Sequence, residues 1–188
     1  IFAGHETTAL AMTYALHQLD SHPDVARHVR AELADVIDHR PTLADLQELS
    51  YLDRVISETL RLYPPVHAIP RTTTERVELG EYVLPANERV LLSVWSIHRD
   101  PRFYDEPETF DPDRWTGTTP RERGPEYVPF GSGPRICIGR HFSRLEAKAT
   151  LATIARQYRL EAFDSLDVRP KMTTQPADPV TARLREVD

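Results

Sequence analysis

The run FGSGPRICIGRHF, residues 130–142, holds Cys137, the only cysteine of the chain, among three glycines and two arginines. One thiol excludes an internal disulfide framework and any zinc site built on cysteine pairs. Gly131, Gly133 and Gly139 open the backbone around the thiol to approaches that side chains would block. A helix is expected from about Ile138 to Tyr158. That puts Cys137 at its start, where unpaired amides favour negative charge on sulfur. A thiolate beside glycine-lined space suits a metal carried on a planar cofactor. The plain alternative is a cysteine buried in the core between Ile136 and Ile138.

Proline punctuates the rest. IFAGHETTALAMTYALHQLDSH reads as a helix ending before Pro23, which suits the first turn of the next one. In that second helix Val25, Val29, Leu33 and Ile37 form one apolar stripe, and Pro41 ends it. Thr42 and Asp45 make a capping box for a short helix. YLDRVISETLRLYPP follows as a helix with Leu52, Val55, Ile56 and Leu60 inward and Pro64-Pro65 as its stop. RVELGEYVL and ERVLLSVW, divided by the turn-like PAN, have strand composition. Residues 100–129 read as a long irregular loop, of the kind that is functional when it lies inside a compact domain. The tail after the last helix reads as strand-poor. The fold class is mainly α with a small β element.

The formal net charge is −6, which argues against nucleic acid as a partner of the chain as a whole. Between Arg114 and Arg156, however, eight Arg and Lys face three Glu, a local balance of +5 around the cysteine. No apolar run approaches the ~20 residues that span a bilayer. The chain opens without Met on residues that already read as helix interior, so it is taken as the C-terminal part of something longer. An upstream membrane anchor or targeting segment would lie outside it.

Phe-x-x-Gly-x-Arg-x-Cys-x-Gly is matched in full by Phe130, Gly133, Arg135, Cys137 and Gly139. On this pattern the chain resembles the C-terminal half of a cytochrome P-450, a haem-thiolate monooxygenase. The resemblance covers nearly the whole chain and implies that residues 1–188 are a partial haem-thiolate domain lacking its N-terminal half. It implies haem b (iron protoporphyrin IX) as cofactor, with Cys137 as axial ligand of the iron. A thiolate in that position favours O–O cleavage. Arg135 and Arg71 would meet the two propionates, and Phe130 would pack near the sulfur. Gly133 and Gly139 complete the cofactor-binding set.

AGHETT, residues 3–8, fails as a His-Glu-x-x-His zinc motif, because position 9 is Ala9. It fits the family's distal helix. Glu6 and Thr7 would then form an acid–alcohol proton relay, since a hydroxyl can both donate and accept. Read without the resemblance, Thr7 and Thr8 simply bond back to the preceding turn. Glu58 and Arg61 lie three apart on one helical face and can pair. The resemblance adds Arg114 of FDPDRW as third member of a buried structural triad. His98 of HRDP is read as structural or close to the haem rather than as an iron ligand.

Arg140, Arg144 and Lys148 recur at four-residue steps, with Arg121 and Arg123 on the preceding loop. They are expected to form either a solvated face or a docking stripe for an acidic electron donor. The implied activity is reductive activation of O2 and insertion of one oxygen atom into a small apolar, fatty-acid-like substrate, part of whose pocket is Val66–Ile69. Electrons would come from NAD(P)H through a ferredoxin- or flavodoxin-type donor or a reductase. A peroxide-using hydroxylase and a non-catalytic haem-binding sensor or decayed relative are the alternatives. Prokaryotic cytoplasm is the expected location.

Overall fold

The structure is a computed structural model that describes residues 2–38, 40–118, 122–163 and 165–187. Six α-helices and eight short strands are assigned among the described residues. Helix α1 (Phe2–Ser21) is followed by α2 (Pro23–Val36), with Pro23 in the first turn of α2 and its stripe Val25, Val29 and Leu33 buried. A capping box starts α3 (Leu43–Glu48): Thr42 N–H donates to Asp45 Oδ2 at 2.8 Å, and Asp45 N–H donates to Thr42 Oγ1 at 3.3 Å. The last helix, α6 (Arg140–Gln157), begins two residues later than its sequence indicates, with Gly139 as its N-cap. Cys137 therefore precedes the helix rather than opening it.

Helix α4 (Ser50–Leu62) occupies the centre, packed against α1, α2, α6 and the irregular loop. An amphipathic helix buries one stripe. This one buries every residue from Val55 to Leu62, polar ones included. Ser57 and Thr59 satisfy their hydroxyls within the helix by donating to Asp53 O and Val55 O, both at 2.8 Å. Around α4 the core gathers Leu19, Val29, Leu33, Leu49, Leu52, Leu151 and Ala152.

The β content forms four separate antiparallel pairs. Strand β1 (Ala68–Thr72) pairs with β4 (Arg89–Ser93), Ala68 opposite Ser93 and Thr72 opposite Arg89. The run RVELGEYVL is not one strand. Gly80, at φ +58°, turns it into a hairpin of β2 (Val77–Leu79) and β3 (Tyr82–Leu84). The next run stops at Ser93, whose hydroxyl accepts from Ser96 N–H and caps the short α5 (Val94–Ile97).

The tail also departs from its strand-poor reading. Strand β5 (Tyr158–Phe163) pairs with β8 (Ala182–Glu186), and β6 (Val168–Pro170) with β7 (Thr174–Pro176). Strand β8, ARLRE, is exposed at every residue, so it carries no alternation of apolar and polar positions. Its pairing partner lies about twenty residues away, beyond the reach of local pattern. Residues 100–129 hold only two 3₁₀ turns, Pro112–Trp115 and Gly124–Glu126, among their described residues.

Leu52, on α4, has no exposed surface, whereas Leu43 is 59% exposed. Truncating Leu52→Ala is expected to cost about 2–5 kcal/mol in denaturant unfolding. Leu43→Ala should change stability by no more than about 0.5 kcal/mol.

Candidate functional site: the cysteine segment and its anchor

The site is built on a buried charge pair. Glu58 and Arg61 lie one turn apart on α4, and neither side chain has any exposed surface. Arg61 Nε donates to Glu58 Oε2 at 2.8 Å and one terminal nitrogen to Oε1 at 2.7 Å. Its remaining three N–H groups reach backbone carbonyls: His98 at 2.8 Å, Pro107 at 2.6 Å and Thr109 at 3.0 Å. All five donors of the guanidinium are thus used. Glu58 also accepts from Trp115 Nε1 at 3.0 Å, Asp111 N–H at 3.1 Å and Arg114 Nε at 3.3 Å. The three residues expected to form a triad are brought together, in a denser network than the sequence indicates. Pro107, Thr109, Asp111 and Trp115 join it, and no local pattern marks them, because three of these four contribute backbone groups.

The irregular loop is therefore ordered by polar groups it receives from α4. Aromatic packing adds to this: Trp115 meets Tyr127 edge-on at 4.5 Å, and Tyr127 donates its hydroxyl to Ser57 O at 3.0 Å. Tyr104 lies beneath the Arg61 guanidinium at 5.0 Å. Burial pushes the Tyr104 hydroxyl up to about 12.

His98 carries this order to the cysteine. Its ring stacks on Tyr127 at 5.3 Å. Nδ1 lies 3.1 Å from Arg61 O, and Nε2 accepts from Val128 N–H at 2.9 Å. The partners fix the neutral tautomer with hydrogen on Nδ1. Burial lowers the imidazole to about 4, with the Arg61 and Arg99 charges acting the same way. From Val128 the chain turns: Gly131 N–H donates to Val128 O at 3.0 Å and Cys137 N–H to Phe130 O at 2.9 Å. Gly131 and Gly133 take φ of +73° and +67°, where a side chain would strain the backbone. A Cβ on Gly131 would touch Ile69 of β1 at 3.8 Å, and one on Gly139 would touch Cys137 Sγ at 3.9 Å.

Cys137 is unbridged and exposed. Its neighbours Ile136 and Ile138 are exposed as well, so it is not a core cysteine. Arg135 and Arg71 are exposed, and Arg71 donates to Pro70 O at 2.9 Å. Phe130 packs on the edge of the core. Among the described residues no cluster of three or more His, Cys, Asp or Glu is arranged to hold a metal ion.

On α1, Glu6 Oε1 accepts from Thr173 Oγ1 at 2.7 Å and from Gln175 Nε2. These bonds, Thr173 first, hold its carboxyl below the usual range. Glu6 and Thr7 are consecutive on the helix and do not face one another.

The docking stripe is not exposed as expected. Arg144 donates to Asp53 Oδ2 at 2.7 Å and Ser57 Oγ at 2.8 Å. Lys148 meets Asp53 Oδ1 at 3.1 Å and Leu46 O at 3.2 Å. Their side chains are only 18% and 13% exposed. The cause is Asp53 in the first turn of α4, a carboxylate that draws both cations onto the helix interface. Arg140 remains part-exposed at the start of α6. Arg123 turns to Arg114 O at 2.7 Å, and Arg121 lies outside the described residues.

The family model described as Cytochrome P450 matches residues 1–184. The chain belongs to the cytochrome P450 family. Cytochrome P450 4V2 of Rattus norvegicus is 43% identical over 166 residues, 86% of this chain and 32% of that protein. Cyclooctatin synthase of Streptomyces melanosporofaciens is 43% identical over 174 residues, 91% of this chain and 38% of its own length. Cyclooctat-9-en-7-ol 5-monooxygenase of the same organism is 40% identical over 163 residues, 85% and 35% respectively. This P450 chain spans about a third of the length of the curated relatives it matches. No helix among its described residues is long and apolar enough to cross a membrane.

Glu58→Ala leaves the Arg61 charge buried without its partner, at a cost of roughly 3–5 kcal/mol. The variant is expected to lose the ordered cysteine segment and to purify without haem. Normal haem absorbance and an unchanged melting temperature would remove the anchoring role from Glu58. A second expectation concerns pH. His98 titrates near 4 when folded against about 6.5 when unfolded. Between these values the unfolded chain binds the extra proton, so stability is full above pH 6.5 and falls as pH drops toward 4. The loss is on the order of 3 kcal/mol. Melting curves from pH 7 to 4.5 should show it, and His98→Gln should flatten it.

Proposed function

We propose that this chain is the part of a haem-dependent monooxygenase that carries the proximal thiolate and the distal proton relay. Residues 1–188 on this reading are a partial domain whose N-terminal half completes the substrate pocket. One observation carries it: an exposed thiol on a segment held by two positive-φ glycines and fastened to a buried charge network. The residues fit the cofactor in chemistry and shape. A single soft sulfur donor is presented with no side chain on Gly139 beside it, where a Cβ would touch the sulfur. Exposed apolar surface lies within five residues at Ile136, Ile138 and Phe142, with Ile138 99% exposed. Two exposed arginines, Arg135 and Arg71, supply charge for propionates, and the approach of Gly131 to Ile69 draws β1 and the cysteine segment together.

When bound, haem b held by a cysteine thiolate supplies the reductive activation of O2. The chain supplies the rest. Cys137 Sγ would hold the iron, and the Phe130 carbonyl fixes the Cys137 amide beside it at 2.9 Å. Arg135 and Arg71 would meet the haem's propionates, and Phe130 would lie near the sulfur. Thr7 would offer a hydroxyl that donates and accepts, and Glu6 a carboxyl group that gives and takes the proton. Val66–Ile69, part-buried where the chain leaves α4 and enters β1, contribute to a pocket for a small apolar substrate. Electrons come from NAD(P)H through a protein donor; Arg144 and Lys148 already share Asp53 and offer such a donor little exposed charge.

In the haem-loaded protein, the reduced carbon monoxide difference spectrum should show the strongly red-shifted Soret band of thiolate ligation. Cys137→Ser should abolish it. Haem bound without that band would overturn the monooxygenase reading.

A further inference from the structure

The hairpin of β6 and β7 lies near the end of the chain, yet its tip reaches the first turns of α1. Three bonds seat it. Thr174 Oγ1 donates to Pro64 O at 2.9 Å, Thr174 N–H to Pro65 O at 2.8 Å, and Tyr14 Oη to Thr174 O. Thr173 and Thr174 are 7% and 2% exposed. These bonds are enough to fasten the tip to α1 and to the end of α4. The residues on either side of Thr174 do something else: both donate to one oxygen of Glu6. Gln175 Nε2 also reaches Thr173 Oγ1 at 3.2 Å. That contact occupies a lone pair of the hydroxyl and leaves its hydrogen committed to Glu6.

We infer that Thr173 and Gln175 are positioning residues for Glu6, holding its carboxylate in one rotamer and one hydrogen-bonding state at the mouth of the relay. The inference rests on the reading of Glu6 and Thr7 as that relay. Glu6 is otherwise an exposed side chain with several rotamers open to it. Two donors on one oxygen select among them. They also favour the ionised form, in line with the lowered carboxyl. The titratable groups that act on Glu6 are few. His5 precedes it and lowers it further. Tyr14 lies farther along α1 and packs on Tyr63, just beyond α4, at 5.4 Å. The hairpin brings Arg169 and Lys171 along the chain from Thr173, and no ion pair to Glu6 forms among the described residues. The acid is therefore set by neutral hydrogen bonds rather than by a counter-charge, so removing a donor changes its state without stranding a buried ion.

The test uses the haem-loaded protein with ¹³C-labelled glutamate side chains, the Glu6 signal being identified by its absence in Glu6→Gln. In Thr173→Val and in Gln175→Leu the titration midpoint of Glu6 should move upward. The acid limb of the turnover–pH profile should move up with it, and Thr173→Ser should restore both. An unchanged Glu6 midpoint in either folded variant overturns the inference while leaving the relay intact. A midpoint that moves while the acid limb stays in place removes Glu6 from the relay. Should Thr173→Val fail to fold, Gln175→Leu, at a part-exposed position, carries the same readouts.

Discussion

The buried pair of Glu58 and Arg61 is the interaction on which the remaining structure depends. Two charges without exposed surface are costly to bury, and the cost is offset only when every donor and acceptor is met. Here that condition organises the chain. Arg61 holds three carbonyls of residues 98–109, and Glu58 collects the Asp111 amide, the Trp115 indole and Arg114. A segment with no regular secondary structure beyond short 3₁₀ turns obtains from α4 the hydrogen bonds that a helix or sheet would otherwise supply. The pair thus acts less as a source of stability than as a template for a loop.

The template extends to the cysteine by short steps. Arg61 gives its carbonyl to His98, His98 accepts the Val128 amide, Val128 accepts the Gly131 amide, and Phe130 accepts the Cys137 amide. Each link is a backbone or ring group with one geometry. The thiol is therefore exposed at the surface yet tied through four links to a charge that is not. Positioning an exposed donor requires such support, since a loop alone does not fix a side chain to within a fraction of an ångström.

Much of this was legible where the cause is local. Pro23, the Thr42–Asp45 capping box, the stripe of α2 and the pairing of Glu58 with Arg61 follow from neighbours in sequence. So do Gly131 and Gly133 of the cysteine segment, which take positive φ, whereas Gly139 does not and instead leaves room beside the sulfur. Other features have distant causes. Ser57 is polar yet buried, because Tyr127 of the loop and Arg144 of α6 both close over it. The β5–β8 pair joins an Arg- and Glu-bearing strand to a partner across a turn of tail, and alternation cannot show it. Helical spacing correctly placed Arg140, Arg144 and Lys148 on one side of α6. It gave no sign that Asp53, over ninety residues earlier, would turn two of them inward.

That inward turn changes what the local positive charge does. Of the cations between Arg114 and Arg156, Arg114 meets Glu58, Arg123 meets the Arg114 carbonyl, and Arg144 and Lys148 share Asp53. Much of the excess is spent inside the fold, neutralising carboxylates of the helix that anchors the cysteine segment. Arg135 remains exposed beside Cys137, and Arg71 remains exposed on the strand that packs against Gly131. Charge left unpaired by the protein on the segment that presents the thiol is charge available to an anionic ligand. Arg140 is also part-exposed at the start of α6, three residues beyond the thiol, so the cations left near Cys137 are few and local rather than a broad basic face.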